Sequence, residues 1–210
     1  MFKNVYSKDI IQIIQKIHFF ESNKINYLLI SVSHKNGFEH HLLNISTLSE
    51  EKISLPENFS QAHLINLTKN SLLFGIYEPD AIDQPKDFFE FNHPKLKELQ
   101  IDIKDLKNPH HYPKDHLHFK TFQDFFEKKW NIQIDHAIEY LEFKNTLIFS
   151  YYLCADKKEN KLIVCNLNFE IIHQENLTNN NLIGYLTFQI YKNFLVYIKN
   201  KRQLEIYEIS

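Results

Sequence analysis

The segment Glu142-Phe143-Lys144-Asn145-Thr146-Leu147-Ile148-Phe149 decides how the chain folds. A short apolar run meets a Lys-Asn pair, and a second, more strongly apolar run follows. Two strand-like runs separated by two turn-forming residues read as a β-hairpin. The unit recurs as Leu67-Thr68-Lys69-Asn70-Ser71-Leu72-Leu73-Phe74 and as Ile190-Tyr191-Lys192-Asn193-Phe194-Leu195-Val196-Tyr197. A looser copy sets Asn23-Lys24 between Ile17-His18-Phe19-Phe20 and Tyr27-Leu28-Leu29-Ile30. Self-similarity at a period of about 20–50 residues is the signature of a solenoid or propeller.

Aligned on the turn, the copies are separated by 46 residues (Lys24 to Asn70), 75 (Asn70 to Asn145) and 48 (Asn145 to Asn193). The long middle gap calls for an insertion, placed at about 102–131. All six prolines fall between Pro56 and Pro113, and proline is disfavoured in central strands, so uninterrupted ladders are expected at both ends. The resulting expectation is an all-β fold, β-propeller-like. It has four four-stranded meander repeats at about 8–55, 60–101, 132–175 and 182–209, with a partly helical insertion, in one domain spanning 1–210. A β-sandwich is the alternative, because spacing alone does not separate stacked blades from packed sheets.

Within the third repeat, Ala137–Phe143 and Thr146–Cys154 are expected to form the inner hairpin, with Lys161–Leu167 and Phe169–His173 outside it. The second hairpin strand is apolar on both faces, as are Tyr27–Val32, Leu72–Tyr77 and Phe194–Ile198, which predicts burial on both sides. Glu50–Leu55 and Lys95–Ile101 alternate with charge and read as half-exposed outer strands. The last repeat supplies three strands, Leu182–Ile190, Phe194–Lys199 and Leu204–Ile209. Phe2–Tyr6 is a strand without a partner in its own repeat and is expected to complete that sheet. In the insertion, Thr121-Phe122-Gln123-Asp124 resembles a capping box. Phe122, Phe125, Phe126 and Trp130 then form one helical apolar stripe, expected to pack on a sheet.

Composition narrows function. A formal charge of −2 and a single arginine, Arg202, give no electrostatic footprint for nucleic acid. No run approaches the roughly 18 apolar residues of a membrane helix, and the first residues lack a signal-peptide pattern. Cys154 and Cys165 form no CxxC pair and read as buried reduced thiols, which suits a cytoplasmic protein. Three isolated glycines, Gly37, Gly75 and Gly184, rule out GxGxxG, Walker A and GxSxG signatures, and no cofactor is expected.

The four-stranded repeat resembles a propeller blade, without the Gly-His to Trp-Asp pattern or the double glycine of the best-known blade families. The Lys/Asn/Ile-rich texture and aromatic hairpins are similar to an uncharacterised propeller-like family of Bacteroidetes bacteria, a domain of unknown function. That resemblance implies a fold and a cytoplasmic setting, and it brings no catalytic residues.

The densest chemistry is His110-His111-Tyr112-Pro113-Lys114-Asp115-His116-Leu117-His118, read as a loop. His111, His116 and His118 are the candidate metal ligands, although no HExxH or cysteine partner accompanies them. Asp80, Asp83 and Asp87 are acidic residues in a loop without the EF-hand pattern. His40-His41 and His136 fall in strands and read as hydrogen-bonded structural histidines, and Tyr151-Tyr152 as core. The favoured function is a non-enzymatic protein-interaction or scaffold module, engaging another protein through loops or the 102–131 insertion. The alternative is a metal-dependent enzyme or sensor using the histidine-rich loop.

Overall fold

The computed structural model describes residues 2–77, 85–99, 105–153, 159–178 and 186–210. Asp80, Asp83, Cys154 and Gly184 lie outside the described residues. The chain is all-β apart from one α-helix and one 3₁₀ turn among the described residues, and its strands form four separate antiparallel sheets. It divides into two compact units, residues 10–104 and residues 1–9 with 105–210. Strand β1 (Phe2–Asp9) belongs to the second unit.

In the first unit, β2 (Ile13–Ser22), β3 (Ile25–His34), β4 (Gly37–Asn44) and β5 (Ser49–Ile53) form a four-stranded meander. The β2–β3 turn holds Asn23 and Lys24 at φ 49° and 64°. Both residues are left-handed, as a tight two-residue hairpin requires, and asparagine tolerates that conformation best among non-glycine residues. A three-stranded sheet follows, built from β6 (His63–Leu67), β7 (Ser71–Ile76) and β8 (Asp87–Asn92). Its turn is longer than the sequence motif suggests: Thr68 N donates to Ser71 O at 2.9 Å, and Leu67 pairs with Leu72. The two sheets share one apolar core, including Phe20, Leu29 and Leu42 from the first and Leu64, Leu72 and Phe74 from the second. The expected outer strand at Lys95–Ile101 is not a strand over its described part. Residues 95–99 form irregular chain that drops Leu96 and Leu99 into the core, and β8 takes the third place in the sheet.

In the second unit, β9 (Leu106–Lys107) and β10 (His110–Pro113) precede α1 (Phe119–Trp130). Strands β11 (Ile134–Phe143), β12 (Thr146–Leu153), β13 (Asn160–Asn166) and β14 (Ile171–Thr178) then form a meander, and β10 pairs with β11 at its edge. The last sheet contains β15 (Phe188–Tyr191), β16 (Phe194–Lys199) and β17 (Gln203–Ile209), flanked by β9 on one side and β1 on the other. Among the described residues the four sheets thus have four, three, five and five strands rather than four each. The insertion accounts for part of the difference, because its residues add an edge strand to each of two sheets. Such additions cover backbone groups that an open edge would expose.

Strand β12 is buried along almost its whole length, as its two apolar faces require. One side of its sheet meets the last sheet through Leu141, Ile148, Leu162 and Val164 against Ile190, Leu195 and Tyr197. The other side packs on α1 through Ile138, Phe149, Tyr151 and Ile163 against Phe119 and Phe126. The outermost strand begins at Ile171, not Phe169. Residues 167–168 form a turn closed by Phe169 N donating to Asn166 O at 2.9 Å, and Phe169 sits at φ 62°.

The helix also starts earlier than the capping-box reading. His118 is the N-cap and makes no side-chain cap hydrogen bond, and Thr121 lies inside the first turn. Starting upstream brings Phe119 into the core at 3% exposure, and burying an aromatic ring outweighs the roughly 1 kcal/mol of a good cap. At the other end Asn131 is left-handed, and Ile132 N closes back on Phe126 O at 3.2 Å, a glycine-like stop.

Strand β1 pairs with β17 from Phe2↔Ile209 to Asp9↔Gln203, with one irregularity between Asn4 and Tyr6. The expected completion of the last sheet by the first strand is present. Among the described residues no helix is long and apolar enough to cross a membrane.

Candidate functional site

The histidine-rich segment is half strand and half turn, not a loop, and its strand separates the candidate ligands. Register pairs His111 with Glu139 and Tyr112 with Ile138, so alternation sends the two side chains to opposite faces. His111 Nδ1 lies 3.4 Å from Glu139 Oε1. On the other face Tyr112 packs against His116, His118 and Phe122, with ring centroids 4.9, 6.1 and 5.1 Å away. His116 and His118 are neighbours, 5.3 Å apart at the centroids, and His116 Nδ1 accepts from His118 N at 3.2 Å. The structure brings those two together and leaves His111 across the sheet. Among the described residues no group of three or more His, Cys, Asp or Glu is placed to hold a metal.

Glu139 was not singled out by sequence. It is 2% exposed and accepts from Leu186 N (2.6 Å), Thr187 N (2.8 Å) and Thr187 Oγ1 (2.6 Å). A buried carboxylate needs such donors. Here it ties the third sheet to the approach to β15. The only signal was a glutamate flanked by Ile138 and Tyr140 in an apolar strand.

The other histidines have structural settings. His40 is buried, with Nδ1 2.9 Å from Ser31 Oγ and Nε2 3.1 Å from Ala62 O. Burial lowers its pKa to about 4, and burial with nearby Lys16 does the same to His18. His41 sits 2.8 Å from Glu50 and 3.6 Å from Glu39. His136 departs from its expected role: it lies at the β11 irregularity, φ 65°, with an exposed ring. Tyr151 and Tyr152 are core, at 0% and 4% exposure. Asp87 opens β8, and one of its carboxylate oxygens accepts from Phe88 N at 2.9 Å.

What remains open is a groove of about 410 Å³ where α1 leaves one end of the third sheet uncovered. Thr121, Phe122 and Phe125 form one wall, Tyr140, Glu142, Leu147 and Phe149 the floor, and Leu167 and Phe169 the far lip. The rings make a continuous layer: Tyr140 stacks on Phe149 at 5.1 Å, and Phe125 meets Phe169 at 4.9 Å. Leu167, half exposed, gives the lip an apolar edge. The Tyr140 hydroxyl donates to Glu142 Oε2 at 3.4 Å, and burial followed by the Glu142 charge raises the phenol's pKa above its ordinary value. A hollow of about 320 Å³ in the first unit is lined by Tyr27, Leu42, Glu51, His93 and Lys95 among others. Its carboxylate is already engaged by His93 and by Lys95 at 3.0 Å.

Comparison with protein-family models, with curated proteins and with solved structures finds no match to this chain.

Proposed function

We propose that the protein is a non-enzymatic interaction module that holds an apolar segment of a partner protein in the groove between α1 and the third sheet. The observation that carries this reading is the half-buried aromatic layer of Phe122, Phe125, Tyr140 and Phe169, set over the buried ring of Phe149. Aromatic residues are enriched where one protein anchors on another. The floor belongs to a sheet and one wall to a helix, so the surface is preorganised and little ordering cost falls on binding.

The reading includes a propeller-like plan, with the four sheets as blade-like repeats. The recurring hairpin and the first strand's return to the last sheet support it. It also includes a cytoplasmic setting, in keeping with the buried thiol of Cys165, whose pKa burial pushes up to about 11.

A displayed library of random peptides, selected on the whole protein, tests the binding reading. Enriched peptides should lose most of their affinity on Leu167→Glu, which puts a charge on the groove's apolar lip. No enrichment, or enrichment indifferent to that change, refutes it. Metal chemistry at His111, His116 and His118 has no comparable support, since the first faces away from the other two. Stoichiometric zinc that disappears in His116→Ala would reverse that preference.

A further inference from the structure

We infer that the groove takes a lysine side chain carried on an apolar stretch of the partner, an assignment that rests on the binding reading above. Glu142 is the only ionised residue in the groove's lining. No cation among the described residues pairs with it, whereas Glu51 and Glu39 each hold a lysine, at 3.0 and 2.9 Å. A negative charge beside aromatic faces is complementary to an organic cation, through both the carboxylate and the ring quadrupoles. The layer already attracts one: Lys129 Nζ lies 5.8 Å from the centroid of Phe169 at the far lip.

The form of the cation follows from the floor. Over the closed floor of Leu147 and Phe149, the half-buried rings of Phe122, Phe125 and Tyr140 offer apolar surface for an aliphatic stem beside Glu142, and long basic side chains bury their stems while keeping the charge at a wet edge. The Tyr140 hydroxyl takes one acceptor position on Glu142 Oε2, which leaves Oε1 the less encumbered oxygen and favours a single contact over a two-oxygen fork. A point-like ammonium uses one oxygen, and a guanidinium gains its advantage from two.

The test uses the full-length protein and Trp130 emission. The tryptophan ring stands edge-on to Phe125 at 5.1 Å, so its fluorescence reports on that wall. Two peptides are titrated, acetyl-Ser-Leu-Lys-Phe-Ser-amide and the same peptide with norleucine in place of lysine, which keeps the stem and removes the charge. The lysine peptide should bind roughly fivefold tighter at low salt, and Glu142→Gln should bring it down to the norleucine value. Equal affinity of the two peptides for the unmodified protein overturns the lysine assignment and leaves the binding reading standing. No response to either peptide overturns both.

Discussion

Asn4 and Glu205 stand 201 residues apart in the chain, and Asn4 Nδ2 donates to Glu205 Oε2 at 2.7 Å. Ser7 Oγ donates to the other oxygen at 2.7 Å, and Gln203 Nε2 adds a third bond at 2.8 Å. Glu205 is 3% exposed, so its charge is tolerated only while these donors are present. Alongside, Phe2 stacks on Tyr207 at 4.7 Å and meets His173 at 5.1 Å. The first strand is therefore held by a polar clamp and an aromatic one as well as by its ladder.

Removing residues 1–7 should lower the melting temperature by well over 5 °C, because it opens the edge of β17 and strips Glu205 of two donors. Glu205→Ala should cost about 2–4 kcal/mol in chemical denaturation, through lost charge-assisted bonds and stranded donors. Unchanged stability in both variants would mean that β1 is not seated on β17 in solution.

The hairpin register was legible because Lys-Asn turns and β12's two apolar faces are local patterns, and both appear where the sequence put them, except that the Lys69-Asn70 turn widens to Thr68–Ser71. The end of β17 that waits for β1 was legible too, since Phe2–Tyr6 had no neighbour to pair with. What local patterns missed was set by distant partners. His110–Pro113 reads as loop until β11 offers it a ladder, and Thr121 reads as a cap until Phe119 is needed in the core. The groove was half visible: the Phe122–Phe125 stripe was clear, but the end of sheet it leaves bare is a property of where α1 stops. Glu139 and Glu205 could not be told from solvent-facing charges without knowing which donors converge on them.

Acid should unfold the first unit earlier than its carboxylates alone would require. His18 and His40 have pKa values of about 4 in the folded state against 6.5 when free, and burial lowers His63 as well. Between those values the unfolded chain binds protons that the folded chain refuses, so stability is full above about pH 6.5 and falls toward pH 4. Urea midpoints measured across that window should drop steadily, and His18→Gln should flatten the slope by close to one proton. A flat profile between pH 6.5 and 4.5 would contradict the burial of both rings.

Gly37 opens β4 at φ 145°, and a Cβ there would come 2.2 Å from the carbonyl oxygen of Ser60. That carbonyl also accepts from Phe38 N at 2.8 Å, so the two backbones are in direct contact. Gly37→Ala should destabilise by about 3 kcal/mol or more, combining a disfavoured backbone region with a backbone clash that no side chain can relieve. Gly75→Ala should cost less, because its nearest obstacle is the movable end of the Ile65 side chain. Thermal melts of the two variants side by side give the comparison, and an equal loss would refute it.

Tyr151 offers a change expected in the opposite direction. Its ring is fully buried in the layer between α1 and the third sheet, with Phe126 edge-on at 4.9 Å. Its hydroxyl has no hydrogen-bond partner among the described residues, and burial raises its pKa above the ordinary tyrosine value. A buried hydroxyl without a partner forfeits its hydration, a cost on the order of 1–3 kcal/mol. Tyr151→Phe keeps the ring, its packing and its rotamer while removing that atom. The variant should match or exceed the parent by up to about 1 kcal/mol, with the small void left by the oxygen offsetting part of the gain. Chemical denaturation reads the difference directly. A loss of more than about 1 kcal/mol would show that the hydroxyl is bonded in solution, and would mark Tyr151 as a polar anchor of the core rather than a purely apolar one.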